Sequence, residues 1–150
     1  MKTRFISEMA IKKAANSLGY TVRHNQNCRG YNNMTTACDL VMRLPGEYDV
    51  GFQKQTGGYE LVADFWDNHI SQYLGDPVAM QKASNQANKL MAEGKYKEAE
   101  ALLNDSKIVQ FTKAYNYFAV QEVAQSQGLQ IIENRLEDGS IVLELTGEVF

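Results

Sequence analysis

The sequence is poor in the residues that define secreted, fibrous or membrane-spanning chains. It contains two prolines and two cysteines in 150 residues. Two cysteines cannot build the disulfide framework of a small secreted scaffold, and so few prolines exclude a collagen-like chain. No apolar run approaches the roughly 20 residues that a membrane helix needs, and residues 1–8 lack the apolar segment of a secretion signal. We therefore expect a soluble cytoplasmic protein with reduced thiols and no contact with membranes.

The composition that is present is typical of one folded domain. Hydrophobic residues make up 44% of the chain and charged residues 22%, which favours a single domain over residues 1–150. The net charge of −3 disfavours nucleic-acid binding, because that affinity comes largely from neutralising phosphates. Residues 1–45 nevertheless carry seven Lys or Arg against two acids, so a local basic face is available for one small anion.

Two segments have the apolar periodicity of amphipathic helices. Residues 6–18 repeat at helical spacing and end at Gly19, and residues 107–127 do the same and end at Gly128. Between them, residues 67–106 are rich in Ala, Lys, Glu, Gln and Met. This composition predicts two helices, which form a helical insertion.

Strand patterns cluster instead of alternating singly with helices. They lie at residues 20–24, 37–44, 48–54, 59–66, 129–135 and 141–146. Paired glycines at residues 55–58 predict a tight hairpin turn, and Asp138-Gly139 predicts another. Clustered strands favour an α+β fold with a mainly antiparallel sheet of about five to six strands and helices packed on one face.

Residues 25–35 form a polar stretch with four Asn, one Gln and one Gly, which predicts an irregular loop. Arg29, Gly30 and Tyr31 within it are suited to an anion: a guanidinium fork, a glycine that lets backbone N–H groups approach, and an aromatic ring. The alternative is structural, with Arg29 paired to a strand carboxylate such as Asp64 and thereby pinning the loop.

Several carboxylates are candidates for chemistry. Asp49, Glu60 and Asp64 are predicted to point outward from the sheet together with Trp66, either as a solvated face or as an acid–base or Mg²⁺ site. Glu122 shares the apolar face of the last helix with Tyr115, so it needs a partner. The basic first third of the chain would supply it, either in a structural ion pair or in a functional site.

A metal site is not predicted. His24, Cys28, Cys38 and His69 supply four ligand types that zinc accepts, but their spacing lacks the two close pairs of structural zinc sites. No nucleophile elbow, phosphate loop, dinucleotide fingerprint or kinase pattern occurs either. We expect no metal and no cofactor.

Five segments together carry a family resemblance. They are RGY (29–31), YDVGF (48–52), YELVADFW (59–66), VQEVA (120–124) with Tyr115, and LEDGSI (136–141). The chain resembles the hypothetical chloroplast reading frame 35 family of plastids, cyanobacteria, other bacteria and phages. The likeness covers residues 1–66 and 107–147 and leaves the helical insertion as the main departure. The resemblance implies no settled activity. In bacteria, members of this family look like neighbours of AAA-type ATPases, which implies an accessory role.

The first functional hypothesis is a non-enzymatic interaction or small-ligand module that binds an anion, a nucleotide or a protein partner, accessory to an ATPase or to a phage or host process. Its predicted contact residues are Arg29, Gly30, Tyr31, Asp49, Glu60, Asp64, Trp66, Tyr115 and Glu122, with the helical insertion as a second surface. The alternative is an enzyme on a phosphate-containing or polar substrate, using Arg29 with Glu60, Asp64 or Glu122. The sequence leaves the choice between enzyme and non-enzyme, and the oligomeric state, open.

Overall fold

The computed structural model describes residues 5–128 and the backbone of two further strands, 130–135 and 141–146. The helices are α1 (Glu8–Ser17), α2 (Ser71–Leu74), α3 (Pro77–Ala92), α4 (Tyr96–Ser106) and α5 (Val109–Gln127). The strands are β1 (Thr21–Arg29), β2 (Thr35–Arg43), β3 (Val50–Gln55), β4 (Gly58–Ala63), β5 (Gln130–Arg135) and β6 (Ile141–Thr146).

Both amphipathic helices form where the periodicity predicts them. Helix α1 begins after Ser7, whose hydroxyl accepts the N–H of Ala10 at 3.1 Å, and Gly19 follows its end with φ +90°. Helix α5 ends at Gly128, which adopts the left-handed conformation with φ +67°. Glycine takes this conformation without the steric cost that a side chain adds, and it therefore ends both helices.

The main sheet is antiparallel and has four strands in the order β1-β2-β3-β4. Strands β5 and β6 pair with each other in a separate two-stranded sheet, so the prediction of one sheet with five to six strands was wrong in its count. Hairpin signals are local and predict strand pairs, but they do not say which pairs share one sheet. The α+β class and the antiparallel pairing are confirmed.

The predicted hairpin between β3 and β4 is confirmed. Gln55 pairs with Gly58 across a two-residue turn, and Gly57 adopts φ +86°. The Asp138-Gly139 turn lies outside the described residues, although β5 and β6 on either side of it pair as predicted.

Strand β1 runs through half of the stretch that was predicted to be an irregular loop. Its pairing with β2 extends from Thr21 to Arg29, and only Gly30 to Met34 remain as a connection. The prediction failed because cross-strand backbone hydrogen bonds form whatever the side chains are, and polar side chains are tolerated on an exposed strand. The preference of asparagine for irregular backbone is still visible at Asn25, which has φ +51° and is not paired with a residue of β2.

The β1–β2 ribbon changes its buried face near Asn25. Val22 and Leu40 pack into the main core, whereas Cys28 and Cys38 pack on the opposite face of the sheet. Residues an even number apart on a regular strand share a face, so this switch requires the local break in pairing. The far half of the ribbon thereby folds over the sheet.

Gly51 on β3 makes this close approach possible. A Cβ at this position would lie 2.6 Å from Sγ of Cys38 and 3.1 Å from Cβ of Cys28. Only a residue without a side chain fits beneath the folded ribbon.

The main core lies between the sheet and the helices α1 and α5. Phe5, Phe52, Phe111 and Tyr115 form its aromatic centre, and the ring of Phe5 lies 4.9 to 5.5 Å from the other three. Edge-to-face aromatic pairs at these distances add about 1 kcal/mol each beyond the area that they bury. This cluster fixes α5 across the sheet.

The helical segment contains three helices, α2, α3 and α4, where two were predicted. The glycines mark the boundaries as expected: Gly75 ends α2, and Gly94 with φ +79° lies in the turn between α3 and α4. Asp76 caps α3 by accepting the N–H of Ala79 at 2.9 Å. None of the described helices is both long and apolar enough to cross a membrane.

Candidate functional site

Asp49 is the most strongly engaged carboxylate among the described residues. It is fully buried and accepts hydrogen bonds from the N–H, Nε and Nη2 of Arg29, from Nη1 of Arg43 and from the N–H of Leu44. The shortest of these, from Nη2 of Arg29, is 2.8 Å long. The hydrogen bond to Asp49 raises the pKa of Arg29. A buried carboxylate is tolerated here because two guanidinium groups neutralise it.

This arrangement corrects two predictions. Asp49 is buried and not exposed to solvent, and the carboxylate that pairs with Arg29 is Asp49 and not Asp64. The structural role that we considered for Arg29, pinning the loop, is what the contacts support. Arg43, the second guanidinium on Asp49, was not among the predicted site residues.

The connection between β1 and β2 binds the protein's own carboxylate. The N–H of Tyr31 donates to Oδ2 of Asp64 at 3.1 Å, and the N–H of Gly30 donates to the carbonyl of Met34 at 3.0 Å. The other oxygen of Asp64 accepts the N–H of Trp66 at 3.0 Å. The loop amides that were predicted to cradle an anion are therefore already occupied.

A cavity of about 780 Å³ lies between this loop, the end of β4 and helix α4. Five of the predicted contact residues line it: Arg29, Gly30, Tyr31, Asp64 and Trp66. The opposite wall is built by residues of the helical segment, including Ala99, Leu103 and Lys107. The two surfaces that the sequence suggested separately, the loop and the helical insertion, thus face each other across one cleft.

The mouth of this cleft is rich in exposed apolar side chains. Nine large hydrophobic residues are exposed among the described residues, and five of them line the cleft: Tyr31, Met34, Trp66, Met91 and Tyr96. Trp66 is 57% exposed and Tyr31 is 51% exposed, and their rings meet edge to face at 5.1 Å. Behind them His69 stacks on Tyr48 at 4.2 Å. Such clusters of exposed aromatic and methionine side chains are typical of binding surfaces.

Two cations also line the cleft. Nη1 of Arg29 has no hydrogen-bond partner among the described residues, because Asp49 and the carbonyl of Leu44 use Nε and Nη2. Nζ of Lys107 donates to the carbonyl of Phe65 at 3.2 Å and retains further donors.

The remaining predicted residues lie elsewhere. Glu60 lines a second cavity of about 610 Å³ beside β4. The hydroxyl of Tyr115 accepts the N–H of Ile6 at 2.7 Å and of Ser7 at 3.1 Å, and Glu122 accepts a hydrogen bond from the hydroxyl of Ser7. The partner of Glu122 is therefore a serine and not one of the basic residues. Tyr115 and Glu122 together fix the start of α1.

The four zinc-type ligands do not converge. His24 contacts Glu8 at 3.1 Å, whereas His69 stacks between aromatic rings. Burial raises the pKa of Cys28 to about 12 and also raises the pKa of Cys38, so both thiols stay protonated near neutral pH. Within residues 5–128, no group of three or more His, Cys, Asp or Glu side chains is placed to hold a metal ion.

Comparisons with known proteins agree with the resemblance read from the motifs. Residues 14–101 match the family described as "Protein of unknown function (DUF1257)". A relative from Cyanophora paradoxa, "Uncharacterized protein ycf35", is 29% identical over 70 residues, which are 45% of this chain and 55% of the relative. The chain thus spans about half the length of this curated relative. No solved structure matches.

The range of the match includes most of the residues that line the cleft, and leaves out Leu103, Asn104 and Lys107. It contains β1 to β4, α2 and α3, together with the first part of α4. Most of the helical insertion therefore lies inside the matched range, contrary to the extent that the motifs suggested. Because the match covers more than half of the chain, this protein belongs to the DUF1257 family of proteins of unknown function.

Proposed function

We propose that this protein is an interaction module that receives an apolar segment of a partner protein in the cleft between the β1–β2 loop and α4. The observation that carries the proposal is the concentration of exposed Trp66, Tyr31 and Met34 at the mouth of a cavity of about 780 Å³. Large aromatic side chains supply much of the energy at protein interfaces, and half-exposed ones lose their remaining water contact when a partner binds.

The charges of the cleft support a protein partner better than a small anion. The carboxylates of Asp49 and Asp64 already occupy Arg29 and the loop amides. Lys107 and Nη1 of Arg29, which has no partner within the described part of the chain, are then left to bind one carboxylate or carbonyl of a partner, at the edge of an apolar surface. An AAA-type ATPase, the class that the family resemblance implies, is the first partner to test.

The enzyme alternative has little support from the geometry. Of its three carboxylates, only Asp64 shares a cavity with Arg29, and backbone N–H groups engage both of its oxygens. Glu60 and Glu122 lie outside that cavity. A general acid or base needs a carboxylate within hydrogen-bond reach of a substrate, and of the three that the alternative names, the one beside Arg29 is already engaged.

Affinity capture with matched variants tests the proposal. The wild-type chain, Trp66→Ala and Val78→Ala are immobilised, and each bound protein is identified and then titrated in pure form. Val78 is as exposed as Trp66 but lies outside the cleft, on α3. We expect Trp66→Ala to weaken partner binding roughly a hundredfold and Val78→Ala to leave it unchanged. Equal binding of one partner by all three chains would contradict the proposal.

A further inference from the structure

A second pocket, of about 480 Å³, borders the cleft at Tyr31 and Trp66, which line both sites. Its described lining comes from the β1–β2 loop with the adjoining strand ends, from the β2–β3 connection and from the turn before α2. No residue of β4 or α4 belongs to that described lining. The rings of Tyr31, Tyr48, Trp66 and His69 form part of the wall, and we call this site the aromatic pocket.

Three of these rings form a stack. The imidazole of His69 lies between the phenol of Tyr48 and the indole of Trp66, with centroid distances of 4.2 and 5.8 Å and an interplanar angle of 19° to each. The ring of Tyr31 meets the indole at 64° and 5.1 Å. The faces of aromatic rings attract cations, and the indole does so most strongly. Because Trp66 and Tyr31 are more than half exposed, their rings are accessible to a cation from solvent.

Carboxylates surround the aromatic pocket. Glu47 lines it and is exposed to solvent. Burial raises the pKa of the Tyr48 hydroxyl, and the charges of Asp64, Glu47 and Asp67 raise it further. Three acids from two different segments of the chain therefore act on the same point of the pocket wall.

The nearby arginines do not cancel these acids. Arg29 lines the aromatic pocket, but it shares the carboxylate of Asp49 with Arg43. Two cations and one anion leave a single positive charge against the three acids around Tyr48. The charges thus favour a cationic occupant over an anionic one.

We propose that the aromatic pocket receives an arginine side chain of the partner segment whose apolar residues enter the cleft. A guanidinium group is planar, stays charged and stacks on aromatic faces, so it suits the exposed rings of Trp66 and Tyr31. The carboxylate of Glu47 then accepts its hydrogen bonds at the rim of the pocket. This inference rests on the proposed function and names a second feature of the partner segment, an arginine within a few residues of the apolar anchor.

A matched pair of small probes tests the pocket without the partner. Nα-acetyl-arginine amide and Nα-acetyl-citrulline amide have nearly the same shape, but only the first carries a charge. Each is titrated into the full chain and followed by NMR at the indole N–H of Trp66, the single tryptophan. We expect a saturable shift with a Kd that is roughly millimolar for the arginine probe, and binding of the citrulline probe that is at least about tenfold weaker.

Two charge reversals on the protein locate the binding. Glu47→Lys places a cation at the aromatic pocket and should weaken the arginine probe roughly tenfold. The matched Glu93→Lys changes the net charge equally, but Glu93 lies outside the pocket and pairs with Lys95 in solvent, so affinity should stay unchanged. Both side chains are exposed, and both variants should fold. The purified partner should show the same difference between the two variants.

Three results would overturn the inference. They are no saturable shift with the arginine probe, equal affinity for the citrulline probe, and equal effects of Glu47→Lys and Glu93→Lys. If Trp66→Ala abolishes partner binding while Glu47→Lys leaves it unchanged, the interaction function stands and the arginine site fails. If the arginine probe binds as expected while Trp66→Ala and Val78→Ala bind the partner equally, the proposed function fails and the arginine site stands.

Discussion

Arg29 and Asp49 join the end of β1 to the start of β3, two strands that are not neighbours in the sheet. Nε and Nη2 of Arg29 donate to the two carboxylate oxygens at 2.9 and 2.8 Å, and the N–H of Asp49 donates to the carbonyl of Arg29 at 3.1 Å. The pair holds the folded β1–β2 ribbon down on the sheet. The loop that follows Arg29 is thereby fixed at the mouth of the cleft.

Replacing the buried carboxylate should destabilise the fold. We expect Asp49→Asn to lower the free energy of unfolding by about 3 kcal/mol, because Arg29 and Arg43 lose the charge that neutralises them. Urea denaturation measures the change. Glu93→Gln is the control, since Glu93 pairs with Lys95 in solvent, and it should change stability by less than about 0.5 kcal/mol. Equal effects of the two changes would contradict the assigned role of Asp49.

The folded β1–β2 ribbon should require a glycine at position 51. Gly51→Ala places a Cβ 2.6 Å from Sγ of Cys38 and should cost about 1 to 3 kcal/mol through overpacking. The Cys38→Ala background removes that sulfur, so the same glycine change should cost less there. A double-mutant cycle by thermal or urea unfolding measures the coupling. If Gly51→Ala lowers the unfolding free energy equally in both backgrounds, the added methyl group is not strained against Sγ of Cys38.

The hydroxyl of Tyr115 should anchor the chain that precedes α1. Tyr115→Phe leaves the N–H groups of Ile6 and Ser7 without their acceptor, and we expect a loss of about 1 to 3 kcal/mol in unfolding free energy. Amide exchange at Ile6 and Ser7 should become faster in the same variant. The matched change Tyr96→Phe removes an exposed hydroxyl and should be close to neutral. Unchanged exchange at both amides would refute the anchor.

The buried thiols should make stability fall in alkaline solution. Burial raises the pKa of Cys28 from 9.0 to about 12, so between these values the unfolded chain has lost a proton that the folded chain keeps. The free energy of unfolding therefore decreases as pH rises through this window. Cys28→Ala should show a shallower decline, measured by urea unfolding at a series of pH values. Tyr20 and Tyr59 also have raised pKa values, but they contribute equally to the wild-type chain and to Cys28→Ala. If the unfolding free energy falls equally steeply with pH in both proteins, the prediction is contradicted.

The sequence predicted the elements that depend on local patterns. Apolar periodicity and terminal glycines defined α1 and α5, and the paired glycines at residues 57 and 58 defined the β3–β4 hairpin. These signals work because helix capping and tight turns involve residues within a few positions of each other. The motifs also identified the family, and they indicated Arg29, Tyr31, Asp64 and Trp66, which the fold brings to one cleft.

The three-dimensional contacts decided what these residues do. Alternation along β3 predicted an exposed Asp49, but the β1–β2 ribbon folds over that face and buries it between two arginines. Whether a sheet face meets water depends on what packs against it, and here the covering segment comes from another part of the sequence. The cleft has the same origin. Local sequence determined the loop and the helical segment, whereas only their packing on opposite sides of the β4 edge placed them face to face.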